Sequence, residues 1–344
     1  MPSQVLYIND KSDIPLFGVD FIGIIDRGTN IIELKPLTLC NLKCRYCFVS
    51  AGDYENNFIV SSDYIIETLN KTIKVKGNYD IEIHIAPYGE ILLYSELFNL
   101  LKRLWEIDGI ECISMQTNGL LLNKDTIKKL EEVNLTRLNI SLNTLDQKKA
   151  NFLCACNEYN MDDLLSNIDL LLDSKINVLL APVWFPREND EDIEEIIQFV
   201  VNKRREGYSG KKIQLGIQKY LIYRTGRKLK KIRPKSWDYF YFQLAKLEKK
   251  YNIKLKLGPM DFGIQKRKNV MPFNIQKKDI IELEIVSIGR WKHECIGRIN
   301  MDLGIKVLLK KPLIYSPELI GKKIKAKIIK ANIKDNILTA VFPY

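Results

Sequence analysis

Cys40, Cys44 and Cys47 form a C-x3-C-x2-C run directly after the apolar, β-prone stretch Ile31 to Leu39. Thiolates this closely spaced along one loop can converge on a single metal centre, and soft sulfur ligands select zinc or an iron–sulfur cluster. A closed structural zinc site or an ordinary electron-transfer cluster takes four protein ligands, whereas three leave a position open for a substrate or cofactor. Cys112, Cys154, Cys156 and Cys295 remain as possible fourth ligands, but none belongs to a second closely spaced set of the right size. A zinc staple completed by one of them is the alternative. Only two histidines, His84 and His293, are present. They leave little scope for a histidine metal site or a Ser-His triad, and a lone histidine in a strand is more often structural.

The elements that must position this loop alternate between strand and helix. Ser61-Ser62-Asp63 offers an N-cap, after which Ile65, Ile66, Leu69 and Ile73 repeat at helical spacing. Ile81 to Ile85 alternates at period two and is expected as a strand. Helices are expected over Leu97 to Trp105, Lys124 to Val133, Asp162 to about Leu172, Asp190 to Val201 and Ser236 to Lys250. Strands are expected over Ile110 to Met115, Arg137 to Leu142, Val178 to Val183 and Ile213 to Ile217. Six β-α units in succession imply an α/β protein with a parallel sheet and right-handed crossovers. Pattern alone leaves a barrel and a doubly wound sheet open.

Ligands of parallel α/β folds sit at the carboxyl ends of strands. Here the cysteine loop ends strand one, Pro87-Tyr88-Gly89-Glu90 ends strand two, Gln116-Thr117-Asn118-Gly119 ends strand three, and strand four carries Asn139, Ser141 and Asn143. The cysteine spacing, with the aromatic Tyr46 before the last cysteine, resembles the signature of the radical S-adenosylmethionine (SAM) superfamily. The resemblance implies that Cys40, Cys44 and Cys47 hold three irons of a 4Fe-4S cluster and that SAM chelates the fourth through its amine and carboxylate. Cleavage of SAM by an electron from the cluster then yields a 5'-deoxyadenosyl radical, which usually abstracts a substrate hydrogen. Gly89-Glu90 resembles the second half of the family's Gly-Gly-Glu motif, which engages the SAM amino group. Ser141 and Asn143 resemble the strand-four positions that bind the ribose and carboxylate of SAM, and Asn118 lies in the Thr-Asn-Gly turn of strand three. Tyr88 and Ile91 depart from the motif's first glycine and usual proline. The resemblance covers about residues 30 to 220 and implies a partial (β/α)6 TIM barrel.

At 344 residues, with 46% apolar and 28% charged residues, the chain is long enough for one large packed domain and a small one. No stretch approaches the roughly 20 apolar residues of a transmembrane helix. The polar start from Met1 to Lys11 lacks the regions of a signal peptide, and an odd number of cysteines, seven, argues against a disulfide framework. A cytoplasmic protein is expected. Net charge is +11, but unevenly placed: residues 1–202 carry 18 Lys and Arg against 31 Asp and Glu, and residues 203–344 carry 35 against 11. Lys203 to Lys235 alone holds 13 basic residues and one acid, Glu206, a density suited to a polyanion. The competing reading docks this basic surface on the acidic half of the chain. Within it, Arg224 and Arg227 are candidates to hold a substrate phosphate or carboxylate, or are plain solvated charges.

After Gly258-Pro259 the composition changes. Five short β-prone runs, Ile280 to Ile288, Cys295 to Ile299, Ile305 to Leu309, Lys323 to Ile329 and Ile337 to Phe342, suggest a small closed barrel of the OB type. Glu282-Leu283-Glu284-Ile285 before Gly289, and Leu319 to Ile328, resemble the TRAM domain, a small RNA-binding β-barrel appended to several RNA-modifying enzymes. Trp291, His293 and Tyr315 are available for base stacking, and the alternative is a basic barrel used for protein docking. The expected organisation is an N-terminal extension over 1–29, the partial barrel over 30–262, a linker over 263–277 and the β-barrel over 278–344. As a whole the chain resembles uncharacterised archaeal radical SAM iron–sulfur proteins.

Together these resemblances imply a radical SAM enzyme that modifies RNA, a tRNA foremost, with a ferredoxin or flavodoxin as electron donor and no membrane partner. The alternative is a radical SAM enzyme acting on a protein, a peptide or a small-molecule cofactor precursor. No cysteine precedes Cys40 and none forms a further C-terminal group. Methylthiotransferase chemistry and auxiliary-cluster peptide chemistry are therefore disfavoured. Cys154 and Cys156 are expected as neutral core or loop cysteines rather than reactive thiols.

Overall fold

The computed structural model describes residues 4–271 and 273–344. The first three residues of the expected extension and Pro272 of the expected linker lie outside the described residues. The chain forms two compact units, one of Met1–Leu39, Asp53–Glu111 and Ile264–Tyr344, the other of Cys40–Gly52 and Cys112–Gly263. Among the described residues no helix is long and apolar enough to cross a membrane.

The first unit opens with β1 (Gln4–Ile8), β2 (Gly23–Asp26), β3 (Ile31–Lys35) and β4 (Asn56–Val60), then α1 (Ser62–Lys76), β5 (Ile81–Ile85) and α2 (Leu97–Leu104). Ser61 caps α1 by accepting the N–H of Tyr64, and Ile65, Ile66, Leu69 and Ile73 are buried at the spacing that made the helix legible. β3 pairs in parallel with β5 and antiparallel with β2, while β1 pairs with β4 as a separate parallel ribbon. β1, β2 and β4 went unrecognised in the sequence because they are only four or five residues long, and β1 and β4 pair with each other across some 50 residues. Lys76, the last residue of α1, is fully buried and donates to Asp26 of β2 at 2.5 Å, tying helix to sheet.

β6 (Ile110–Thr117) leads into the second unit, followed by α3 (Lys124–Glu132), β7 (Arg137–Ile140), α4 (Gln147–Cys154), α5 (Met161–Asp173), β8 (Asn177–Leu180), β9 (Val183–Trp184), α6 (Asp190–Arg205), β10 (Ile213–Leu215), β11 (Gln218–Lys219) and α7 (Trp237–Tyr251). β6, β7, β8 and β10 pair in parallel in chain order, each strand returning through a helix as the alternating pattern requires. α4 has weak amphipathic character and eluded the periodicity. Its start is set by Asp146, whose carboxylate accepts the N–H of Lys149, and it buries Ala150, Leu153 and Cys154.

The first unit closes with β12 (Ile280–Ile288), β13 (Glu294–Arg298), β14 (Gly304–Leu309), β15 (Lys323–Asn332) and β16 (Ile337–Phe342), a closed barrel in the order β12-β13-β14-β16-β15. β14 and β16 are parallel and the other pairs antiparallel, the strand order of an OB fold. Its interior is aliphatic, with Ile285, Ile296, Ile305, Val307, Ala326 and Leu338 buried. Cys295 belongs to this core; burial, helped by Glu294, pushes its thiol up to about 12.

In OB folds the second and third strands and the loops joining strands one to two and four to five are the usual ligand surface. Here the amino-terminal part of the same unit, with the segment preceding β12, contacts all three. Gly304 donates its N–H to the Phe17 carbonyl at 2.8 Å, and Lys306 pairs with Asp20 at 2.6 Å. Glu55 and Asn56 both donate backbone N–H groups to the Arg290 carbonyl, and Trp291 packs edge-on against Tyr54 at 5.4 Å. Asn269 donates to the Ile333 carbonyl at 2.9 Å, and Leu338 to that of Gly18 at 2.9 Å. Arg290, itself buried, lies against the rings of Phe21 and Tyr54 and forms a two-pronged pair with Glu294.

Candidate active site

The cysteine loop of the second unit is folded by its own backbone and held by side chains from three later segments. Cys47 donates its N–H to the Cys44 carbonyl at 3.1 Å, and Ala51 directs its N–H at the Cys47 sulfur at 3.4 Å. Arg45 reaches the end of α4, with its N–H on the Leu153 carbonyl and its Nε on that of Phe152, each at 2.8 Å. This brings Cys154 against Cys44. The hydrogen bond between these thiols, then burial, raises Cys44 well above the ordinary thiol range, with Arg227 acting in the opposite direction. Burial also raises Cys47, opposed by the N–H groups of Val49 and Ala51. Thiols held in this way lose their protons when a metal takes their place.

Tyr46 turns inward. Its hydroxyl accepts from Asn143 Nδ2 at 2.5 Å, and its ring packs 5.0 Å from Phe185 in a cluster with Leu153, Tyr220 and Leu229. Burial raises its hydroxyl far above the usual phenol value. Asn143 also accepts the Val183 N–H at 2.7 Å, so one amide ties the cysteine loop to the segment after β8. Asn118 donates through Nδ2 to Asn41 Oδ1 at 2.8 Å, and Ser141 Oγ accepts from Gln116 Nε2 at 3.0 Å. Ser141 and Asn143 line one small pocket with Cys154 and Tyr159. Thus the unit brings together Cys40, Cys44, Cys47, Tyr46, Asn118 and Asn143.

The segment Tyr223 to Arg227 latches this loop from outside. Arg227 donates its N–H to the Cys47 carbonyl at 2.8 Å, and its guanidinium donates to the carbonyls of Cys44 and Ala51, each at 2.7 Å. Ser50 donates to the Thr225 carbonyl at 2.8 Å. Gly226 is required here because a Cβ would lie 2.3 Å from the Phe48 carbonyl oxygen. Arg224, on the same turn, is exposed. The two arginines were indistinguishable in sequence; their different surroundings come from a contact across some 180 residues.

Gly89 and Glu90 follow β5 in the first unit. A Cβ on Gly89 would meet the Leu39 carbonyl oxygen at 2.0 Å, and Glu90 donates its N–H to that oxygen at 2.7 Å. Leu39 immediately precedes Cys40, so only glycine permits this backbone approach. Glu90 is buried, and its Oε1 accepts the Leu92 N–H at 3.0 Å, capping the short 3-10 turn Ile91–Leu93. Tyr88, where the resembling motif has glycine, lies 4.4 Å from the buried ammonium of Lys35.

Three thiols in one loop, with a backbone N–H aimed at one sulfur, fit an iron–sulfur cluster. Among the described residues no group of three metal-binding side chains converges on a single ion position. A cluster of several irons needs no such convergence of its ligands on one point. A bound cluster would supply the electron for SAM cleavage, while this chain's residues shape the loop and direct N–H donors at the Cys47 sulfur.

The profile of the radical SAM superfamily matches residues 34–200. An uncharacterized protein of Methanocaldococcus jannaschii is 35% identical over 356 residues, covering 98% of this chain and 80% of the relative. A GTP 3',8-cyclase of Campylobacter jejuni subsp. doylei is 32% identical over 184 residues, 53% of this chain and 56% of the cyclase. This chain therefore spans only about half the length of that enzyme. Among solved structures, Streptococcus suis SuiB bound to S-adenosylmethionine is similar in fold, with a TM-score of 0.52 at 19% identity, covering 72% of this chain and 52% of SuiB. The α/β core of parallel β-α units and its sequence relatives lead to one conclusion: the chain belongs to the radical SAM superfamily, whose enzymes use SAM and an iron–sulfur cluster and require an electron donor.

Proposed function

We propose that this enzyme reductively cleaves SAM to modify RNA, with a tRNA as the substrate. Cys40, Cys44 and Cys47 each ligate one iron of a 4Fe-4S cluster, and SAM takes the remaining iron. Glu90 pairs with the SAM ammonium, Gly89 admits SAM to the strand edge, and Asn118, Ser141 and Asn143 serve its ribose and carboxylate. Tyr46 backs the loop through Asn143. A ferredoxin or flavodoxin delivers the electron. Arg224 is assigned to a substrate anion, whereas Arg227 is assigned to holding the cysteine loop.

The observation that carries the RNA reading is the charge of residues 203–344, 35 basic residues against 11 acidic. Such an excess suits a polyanion held by phosphate contacts. The TRAM-like barrel contributes a limited share of it. Across the β12–β15 pair, Lys323 faces Glu284 and Lys325 faces Glu282. The barrel's other exposed cations are Lys278, Lys292, Lys310, Lys311, Lys322, Lys327, Lys330 and Lys334. Anaerobic incubation with SAM, reductant and total RNA, followed by mass spectrometry of the digested nucleosides, tests the proposal. A SAM-dependent new nucleoside mass supports it, and an unchanged nucleoside profile alongside active SAM cleavage overturns it.

The GTP 3',8-cyclase relatives favour a second reading, in which the substrate is a free nucleotide or another small cofactor precursor. Replacing RNA by GTP in the same assay separates the two readings. Substrate-dependent consumption of GTP would move the assignment to the small-molecule class.

A further inference from the structure

The sequence offered Trp291, His293 and Tyr315 of the barrel for base stacking. In the structure Trp291 packs on Tyr54, His293 Nδ1 contacts the Leu313 carbonyl at 2.8 Å, and Tyr315 is only partly exposed. An exposed aromatic cluster lies elsewhere, at the start of α7 in the second unit. This helix buries Phe240 and Leu244 and leaves Trp237, Tyr239, Tyr241 and Phe242 between 39% and 58% exposed. Four large exposed aromatics on one helix turn and a half are costly in water unless something covers them.

Their geometry is ordered. Trp237 and Tyr241, four residues apart on one helix face, stack with ring centroids 5.8 Å apart and planes inclined by 24°. The Lys219 ammonium stands 4.8 Å from the Trp237 ring centre. On the other flank Tyr239 stacks on Trp184 at 6.3 Å, with Lys235 5.5 Å from its ring. Between Lys219 and Lys246 the chain has nine basic residues and one acid, Asp238.

Flat rings paired with ammonium groups, in a segment with so few carboxylates, match the chemistry of an unpaired nucleotide strand. Bases offer faces for stacking, and the backbone offers one negative charge per residue. A duplex keeps its base faces within its own stack and offers only phosphates to the same surface. A protein partner would find the apolar rings but would need a strongly acidic rim to match the surrounding lysines and arginines.

We propose that Trp237 and Tyr241, with Lys219 and the basic segment preceding α7, form a stacking platform that binds single-stranded RNA, such as an unpaired loop of the substrate. The platform deepens the RNA reading and rests on it. A base stacks on the exposed Tyr241 side of the ring pair, Trp237 backs it, and Lys219 and its neighbours neutralise the phosphates.

The test uses the full chain and a fluorescein-labelled single-stranded oligoribonucleotide of about 12 nucleotides, alongside the same sequence as a duplex. The wild-type protein is expected to bind the single strand more tightly than the duplex, with quenching of tryptophan fluorescence. The double variant Trp237→Ala, Tyr241→Ala should weaken single-strand binding by roughly 10- to 100-fold. The Trp237→Phe, Tyr241→Phe variant keeps aromatic faces and should stay within about threefold of wild type. If the alanine variant binds the single strand as well as wild type does, or if duplex and single strand bind equally, the platform is overturned while the RNA reading stands. Absence of binding to either RNA at low salt overturns both, and capture of an acidic protein in place of RNA would assign the surface to protein docking.

Discussion

The guanidinium of Arg227 donates through Nε to the carbonyl oxygen of Cys44 at 2.7 Å, inside the loop that carries all three clustered cysteines. With the contacts to Ala51 and Cys47, one residue satisfies three loop carbonyls. Lysine lacks the planar fork that reaches two of them at once. Arg227→Lys and Arg227→Ala should therefore both loosen the loop, the latter costing about 1.5 to 3 kcal/mol of stability for the charged hydrogen bonds lost. Iron retained per chain after anaerobic gel filtration should fall in both variants, more in alanine. Wild-type iron content and thermal stability in Arg227→Ala would show that the latch is incidental.

Replacing Cys40, Cys44 and Cys47 together by alanine should abolish cluster assembly, because Cys154, the thiol in contact with Cys44, cannot by itself hold a cluster. Cys295 lies in the barrel core, and Cys154 closes α4. Iron and sulfide analysis after anaerobic reconstitution gives the answer. A full complement of both in the triple variant would sink the ligand assignment.

Glu90 both caps a turn and is the proposed partner of the SAM ammonium. Glutamine keeps an oxygen for the Leu92 N–H but loses the charge, so Glu90→Gln isolates the electrostatic contribution. A charge-assisted contact of about 1.5 to 3 kcal/mol corresponds to roughly 10- to 150-fold weaker SAM binding, with the cluster intact. Equal SAM affinity in wild type and variant, measured by calorimetry, would remove Glu90 from the cofactor site.

Glu33 makes stability pH-dependent. Burial alone would raise its carboxyl, but Lys35 and Arg27 outweigh burial and bring it from 4.5 down to about 2. The folded value lies below the unfolded one, so this stabilisation is complete above the unfolded value and is lost as pH falls towards the folded one. The melting temperature should drop between about pH 5 and about pH 3, and the drop should be shallower in Glu33→Gln. That variant should also be less stable near neutrality, since it leaves the buried Lys35 ammonium without its carboxylate. Parallel pH profiles for the two proteins would exclude Glu33 as the titrating group.

The sequence by itself determined what depends on near neighbours. Cysteine spacing is a property of a single loop. The buried faces of α1 and α3 follow from apolar residues three and four apart, and the five barrel strands from short β-prone runs broken by glycine and proline. Tertiary structure decided whatever required two distant backbones to meet. Arg224 and Arg227 are chemically alike, yet only the second is engaged by loop carbonyls, because Gly226 lets its turn close against Phe48. The aromatic residues of the barrel and of α7 are equally suited to stacking as residue types. Burial separated them: residues 13–27 and 53–57 cover the barrel's second and third strands and its adjoining loops, while α7 anchors itself with Phe240 and Leu244 and leaves Trp237 and Tyr241 in solvent. Exposure depends on which surfaces of the whole chain are left without a packing partner, and local periodicity holds no record of that.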